Sequence, residues 1–331
     1  MPEPNAFQIE YDRLLELIEA KLEEFVDDSE PASLYEPFKY IMQGRGKRIR
    51  PALTLLACGA INSEPTDALA AGCALEVLHN FTLVHDDIMD KSPMRRGRET
   101  IHTKWDESVA ILSGDMMVGW AYRFLCEHSS SPRFSAVVEA FTDGLIEVCE
   151  GQGYDMQIGS GSEVNLDDYI LMIEKKTSRL LQSAVKMGAN LAGATQEQIE
   201  ALDNFARSVG IAFQIQDDLL DMIAEQSKFG KKIGQDVFDG KKTYLIIKAS
   251  SSDLSEDDRS LLDKFFTLNS LPEEDLPALH DLFERNGIYN DAETEAKRWF
   301  DIANDSLDEL PEGFYRNMLG WLVDNLNTRK Y

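Results

Sequence analysis

Two acidic triplets, Asp86-Asp87-Ile-Met-Asp90 and Asp217-Asp218-Leu-Leu-Asp221, stand far apart in a chain of 331 residues, each inside an otherwise apolar stretch. On an α-helix, residues i and i+4 share a face and i+1 lies about 100° round, so each triplet offers two or three carboxylates to one small region. Hard oxygen clusters of this kind suit Mg²⁺, which keeps several waters, takes few carboxylates and completes its shell with phosphate oxygens. The triplets therefore imply a phosphorylated ligand held through metal. Acidic pairs arise by chance in a chain with 59 Asp and Glu, and there are five Asp-Asp pairs. Those beginning at Asp27, Asp167 and Asp257 have polar or helix-start surroundings and no acid four residues on. The two that complete a triplet follow Phe-Thr-Leu-Val-His and Phe-Gln-Ile-Gln, where carboxylates are costly to bury unless cations neutralise them.

Positive charge is scarce, 33 Lys and Arg in all, so its clustering is informative. Arg45-Gly46-Lys47-Arg48-Ile49-Arg50-Pro51 places four cations in a glycine-containing turn entering a helix, which suits a diphosphate through backbone N–H groups and forked donors. Arg95-Arg96-Gly97-Arg98 follows the first triplet, and Lys231-Lys232 and Gly240-Lys241 follow the second. Basic segments placed repeatedly beside the acids point to two anionic substrates, one bridged by metal and one held mainly by cations.

The elements that must position these residues are helices. Apolar residues recur at three and four residue spacing, as in Leu14-Leu15-Ile18-Leu22, and strand signals are nearly absent. The pattern predicts an all-α protein of ten or more helices. Two long ones, about 68–91 and 203–224, carry the triplets near their C-terminal ends and, side by side, would hold them across a cavity mouth. Pro93 ends the first, and Asn165 or Asp167 caps another. No seam divides residues 1–331, which read as one domain. A net charge of −26 argues against nucleic acid or an anionic membrane as partner. The most apolar stretch, 109–125, is interrupted by Asp115 and Arg123, so no transmembrane segment is expected. Four cysteines without CxxC spacing and an acidic amphipathic start suggest a reduced, cytoplasmic protein.

The ordered set Gly46-Lys47-Arg48-Ile49-Arg50-Pro51, His85-Asp86-Asp87 with Asp90 and Arg95-Arg96-Gly97, Gly114-Asp115, Gly151-Gln152 with Asp155, Lys176-Thr177, Phe213-Gln214 with Asp217-Asp218 and Asp221, and Gly234 with Asp236 and Gly240-Lys241 resembles the trans-isoprenyl diphosphate synthases, the polyprenyl synthetases. The resemblance runs from about Tyr35 to the C-terminus and implies an isoprenoid-synthase-type helical bundle around a central cavity, working as a homodimer. It implies that Gly46, Lys47, Arg50, His79 and Arg96 hold isopentenyl diphosphate. Arg95, Lys176, Lys231 or Lys232, and Lys241 would hold an allylic diphosphate with three Mg²⁺, bound by Asp86, Asp90 and Asp217 with Asp87, Asp218 and Asp221 in support. Lys176, Thr177 and Gln214 would stabilise an allylic carbocation with carbonyl and hydroxyl dipoles.

Phe81 and Thr82 lie five and four residues before Asp86, and five residues of helix span about 7.5 Å, so Phe81 can floor a cavity of moderate depth. In the family this pattern resembles geranylgeranyl (C20) synthases, with farnesyl (C15) or longer (C25 and above) products as alternatives. A terpene cyclase or a non-catalytic subunit of a heteromeric synthase are the competing classes. The cation turn at Lys47 argues against the former and the two intact triplets against the latter.

Overall fold

The computed structural model describes residues 4–24, 30–44, 46–160, 164–223 and 233–327. The all-α expectation holds: α1 is Pro4–Glu23, α2 Ala32–Met42, α3 Ile49–Asn62, α4 Leu69–Met89, α5 Ile101–Lys104, α6 Glu107–Leu125, α7 Phe134–Ser160, α8 Leu166–Ile173, α9 Arg179–Leu191 and α10 Gln196–Ile223, followed by shorter helices to Asn327. Both triplet-bearing helices end close to where periodicity ends them. The second begins earlier than predicted, at Gln196, because Thr195 and Gln198 exchange hydrogen bonds across its first turn.

Between α4 and α5 the structure departs from a purely helical reading. Met94–Arg95 pairs antiparallel with Arg98–Glu99 in a two-residue hairpin. Its central residues, Arg96 (φ 51°) and Gly97 (φ 75°), both lie in the left-handed region that a hairpin turn of this hand requires.

The chain divides into two compact units. The first comprises Met1–Ile146, Leu180–Ala206 and Ser306–Leu322. Its centre is α4, packed on α3 and α6, with Leu75, Val77 and Leu78 of α4, Leu53 and Leu56 of α3 and Phe124 of α6 all buried. The segment Pro65–Met89 is long and apolar enough to cross a membrane by length and hydropathy, but 67% of its most apolar window is buried within the fold, as a core helix requires. The second unit comprises Glu147–Arg179, Arg207–Asp305 and Val323–Tyr331, with Tyr169, Phe265, Phe283 and Phe300 fully buried.

Candidate active site

In the first unit the cation turn splits into two functions. Arg48 takes a left-handed conformation (φ 47°) at the N-terminus of α3, which turns its guanidinium inward. There it is 4% exposed and donates to Glu76 Oε1 at 2.8 Å, Glu19 Oε1 at 2.8 Å and the Met42 carbonyl at 2.9 Å. Arg48 is therefore a structural clamp, not one of four cations offered to a ligand. Arg50 is the opposite case. Its Nε is buried without a hydrogen-bond partner, and burial together with the charge of Arg96 brings its pKa down to about 10. Arg96 approaches from the hairpin: a Cβ at Gly46 would sit 3.1 Å from its Nη1, so the absence of a side chain at Gly46 admits it. Burial also lowers the Arg96 pKa.

His79, one helical turn beyond Glu76 on α4, has a buried Nδ1 with no partner. Burial, then the charges of Arg50, Arg96, Arg95 and Arg48, hold its imidazole neutral well below the usual range. The structure brings Arg50, His79 and Arg96 within electrostatic reach of one another, while Lys47 sits exposed on the same turn. Crowded cations around a buried Arg50 Nε without a partner have the charge and donor chemistry that suits an anion.

The first triplet closes α4. Asp87 is buried and accepts from Arg95 Nε at 2.7 Å; Asp86 is half-buried, with its Oδ2 3.5 Å from Arg95 Nη2. Asp90 caps the helix and is exposed. Upstream on α4, the Phe81 ring packs edge-on against His85 with centroids 4.7 Å apart, and the Thr82 hydroxyl donates to the His79 carbonyl at 2.8 Å.

In the second unit the corresponding pattern repeats with different partners. Asp217 is exposed, whereas Asp218 is buried and accepts three hydrogen bonds: from the Tyr169 hydroxyl at 2.6 Å, the Tyr244 backbone N–H at 2.9 Å and Gln214 Nε2 at 3.1 Å. Burial and the nearby Asp236 charge push the Asp218 carboxyl up to about 7 against the pull of these donors. Asp221 Oδ2 accepts from the Asp236 backbone N–H at 3.1 Å. In each triplet, then, the second acid is the more buried of the pair and is tied to protein.

Lys176 and Thr177 lie in an element no sequence pattern announced, a π-helical turn over Glu174–Ser178 between α8 and α9. It is gripped by two glycines. A Cβ at Gly151 of α7 would lie 2.3 Å from the Lys176 amide nitrogen, and one at Gly210 of α10 would lie 2.6 Å from the Ser178 Cα. Wide turns of this kind recur at functional sites because they turn successive side chains to one side. Lys176 Nζ meets Asp155, and the Thr177 hydroxyl donates to Gln214 Oε1 at 3.0 Å. Lys241 pairs with Asp236 at 2.8 Å; its neighbour Lys242 is buried on the Ile158 carbonyl and serves the fold. Lys231 and Lys232 lie outside the described residues. Sequence reasoning missed Glu76, Tyr169 and Tyr244, whose only signal was a polar group within an apolar run.

Among the described residues no group of three or more His, Cys, Asp or Glu side chains is assembled as a complete metal ligand set. Magnesium takes one or two carboxylates and fills its shell from water and substrate phosphate; the acids that would hold it are Asp86 and Asp90 in the first unit and Asp217 in the second.

Helices that end in paired carboxylates, an arginine cluster in which the Arg50 Nε has no partner, and a π-turn of hydroxyl and amide groups fit the class of trans-prenyltransferases acting on diphosphates. Known proteins agree. The polyprenyl synthetase family model matches residues 31–281, and the chain belongs to that family. It is 33% identical over 316 residues to the short chain isoprenyl diphosphate synthase of Methanothermobacter thermautotrophicus, covering 96% of each chain. It is 35% identical over 315 residues to the geranylgeranyl diphosphate synthase of Methanosarcina mazei, covering 95% of each. The crystal structure of geranylgeranyl pyrophosphate synthetase from Pyrococcus horikoshii superposes with a TM-score of 0.92 at 33% identity, over 98% of this chain and 100% of that one.

Proposed function

We propose that the protein is a Mg²⁺-dependent geranylgeranyl diphosphate synthase that adds isopentenyl diphosphate to dimethylallyl, geranyl or farnesyl diphosphate, as a single catalytic domain and a cytoplasmic homodimer. The observation that carries this reading is the cluster of Arg50, His79 and Arg96, with the Arg50 Nε donor and the His79 Nδ1 nitrogen both buried and without a hydrogen-bond partner. A cyclase ionises one diphosphate and has no use for a second anion site without carboxylate ligands. A condensing enzyme needs both.

In this reading Lys47, Arg50, His79 and Arg96 hold the diphosphate of isopentenyl diphosphate, which is not broken. Arg95, Lys176, Lys241 and the pair Lys231 and Lys232 draw charge from the allylic diphosphate. Bound magnesium would supply further neutralisation of the leaving diphosphate. The allylic C1–O bond breaks with its electron pair going to diphosphate, and Gln214 Oε1 and Thr177 Oγ1 face the resulting cation with electron-rich oxygen. The π electrons of isopentenyl diphosphate form the new C–C bond. A proton then leaves the adjacent carbon, restoring a double bond, and is taken by the departed diphosphate. Burial and the surrounding cations lower the proton affinity of His79, which makes it a poor base beside the departed diphosphate.

Product length rests on Phe81, whose matching positions in the named relatives' family favour C20. The test is a product assay with Mg²⁺, isopentenyl diphosphate and each allylic starter. A C20 limit from all starters supports the reading, and Phe81→Ala should then release longer chains. C15 or a ladder beyond C25 would retain the reaction but move the floor, whereas consumption of the allylic diphosphate without isopentenyl incorporation would overturn it. Light scattering of the purified enzyme tests the dimer.

A further inference from the structure

We infer that Asp218 is a positioning residue that fixes the amide orientation of Gln214, and so decides whether oxygen or N–H faces the reacting carbon. This inference rests on the proposed prenyl condensation and deepens it. Asp218 was expected from its place in the triplet to support metal, yet its two oxygens are both committed to protein. Oδ2 takes the Tyr169 hydroxyl and the Tyr244 N–H, while Oδ1 takes Gln214 Nε2. Tyr169 is 1% exposed and Asp218 4%, so neither hydrogen bond is exchanged with solvent at little cost.

The direction of the hydrogen bonds carries the argument. With the Tyr169 hydroxyl and the Tyr244 N–H donating to Oδ2, the ionised Asp218 accepts at Oδ1 from Gln214 Nε2 at 3.1 Å, which turns the Gln214 NH₂ toward it. The carbonyl Oε1 then points the other way, toward Thr177, and the Thr177 hydroxyl spends its single proton on that oxygen at 3.0 Å. Two oxygens are left with lone pairs and no outward proton. Such a pair stabilises a carbocation; the reversed chain, with NH₂ outward, would raise its energy.

The geometry supplies a selective test. In Asp218→Asn the amide oxygen must occupy the Oδ2 position, because two donors already converge there, and the NH₂ must therefore face Gln214. Gln214 is forced to reverse. The expected result is a fall in kcat of about tenfold or more, with KM for both diphosphates and half-saturation by Mg²⁺ unchanged. Adding Gln214→Glu to Asp218→Asn should restore part of the lost kcat, since a carboxylate presents oxygen on both sides. A raised Mg²⁺ requirement that saturating Mg²⁺ cures would show Asp218 to be a metal ligand and overturn the inference, as would an unchanged kcat. If Asp218→Asn does not fold, Asp218→Ala, which removes the oxygen that accepts from Gln214 Nε2 and so releases the amide, must lower kcat selectively; intact kcat in that variant equally sinks it. Absence of condensation by the wild type in the same assay would count against the proposed function itself.

Discussion

Arg48 and Arg50 sit two residues apart in one turn and do opposite work. The sequence presents them as equal members of a basic run, since neither the left-handed backbone at Arg48 nor the partner Glu76, 28 positions on, is visible in local spacing. The arginine that folds inward stabilises the turn; the one left without a partner awaits a ligand. Removing Glu76 leaves the buried Arg48 guanidinium with Glu19 as its one carboxylate partner among the described residues and one donor unmet, so Glu76→Ala should lower unfolding free energy by about 1–3 kcal/mol, read by urea denaturation. Arg50→Gln should leave stability nearly intact or higher but raise KM for isopentenyl diphosphate by about tenfold or more, the worth of a charge-assisted hydrogen bond. His79 adds a pH signature. Its folded pKa lies below the ordinary 6.5, so the unfolded chain takes a proton first as pH falls. Stability from this site is complete above pH about 6.5 and is lost on acidification below it. The difference in stability between wild type and His79→Gln should therefore change with pH below about 6.5 and be flat above; a flat difference throughout would show an ordinary histidine.

At the scale of elements, the triplet helices were legible because apolar spacing, Pro93 and the acids all mark the end of α4 within a turn or so. The hairpin after it was not, since two-residue strands leave no alternation to read. Yet the hairpin explains why Arg95 and Arg96 serve different sites: successive residues diverge, Arg95 to Asp87 and Arg96 to the Gly46 turn. The π-turn was equally silent, because five residues of wider helix keep nearly the same apolar periodicity as an α-helix. Its trace in the sequence was Gly151, whose position against the Lys176 backbone only packing reveals. Gly151→Ala would place a methyl group where 2.3 Å separates it from that backbone nitrogen. Overpacking of this kind costs about 1–3 kcal/mol. The expected outcome is a modest fall in thermal stability with a much larger loss of kcat, because the turn that carries Thr177 must shift. A stability loss with kcat preserved would show that the turn tolerates displacement.

For the molecule as a whole, the formal charge of −26 sets two responses to salt in opposite directions. Like charges distributed over the chain repel in the folded state, and this repulsion acts across distances comparable with the Debye length, about 10 Å at 0.1 M and about 3 Å at 1 M. Raising monovalent salt should therefore raise the melting temperature. Diphosphate binding depends on the opposite sign of charge, concentrated at Arg50, Arg96 and Lys47, and the surrounding negative field makes that cluster more dependent on close contact than on long-range attraction. The same salt should weaken isopentenyl diphosphate binding, with the loss falling mainly on the exposed Arg96 and Lys47, because burial of its Nε shields Arg50 from the ions that screen the surface. Calorimetric melting and KM, both measured from low salt to about 1 M KCl at constant Mg²⁺, separate the two effects. A melting temperature that fell with salt would mean that specific ion pairs, such as Arg179 with Glu174, outweigh the net repulsion.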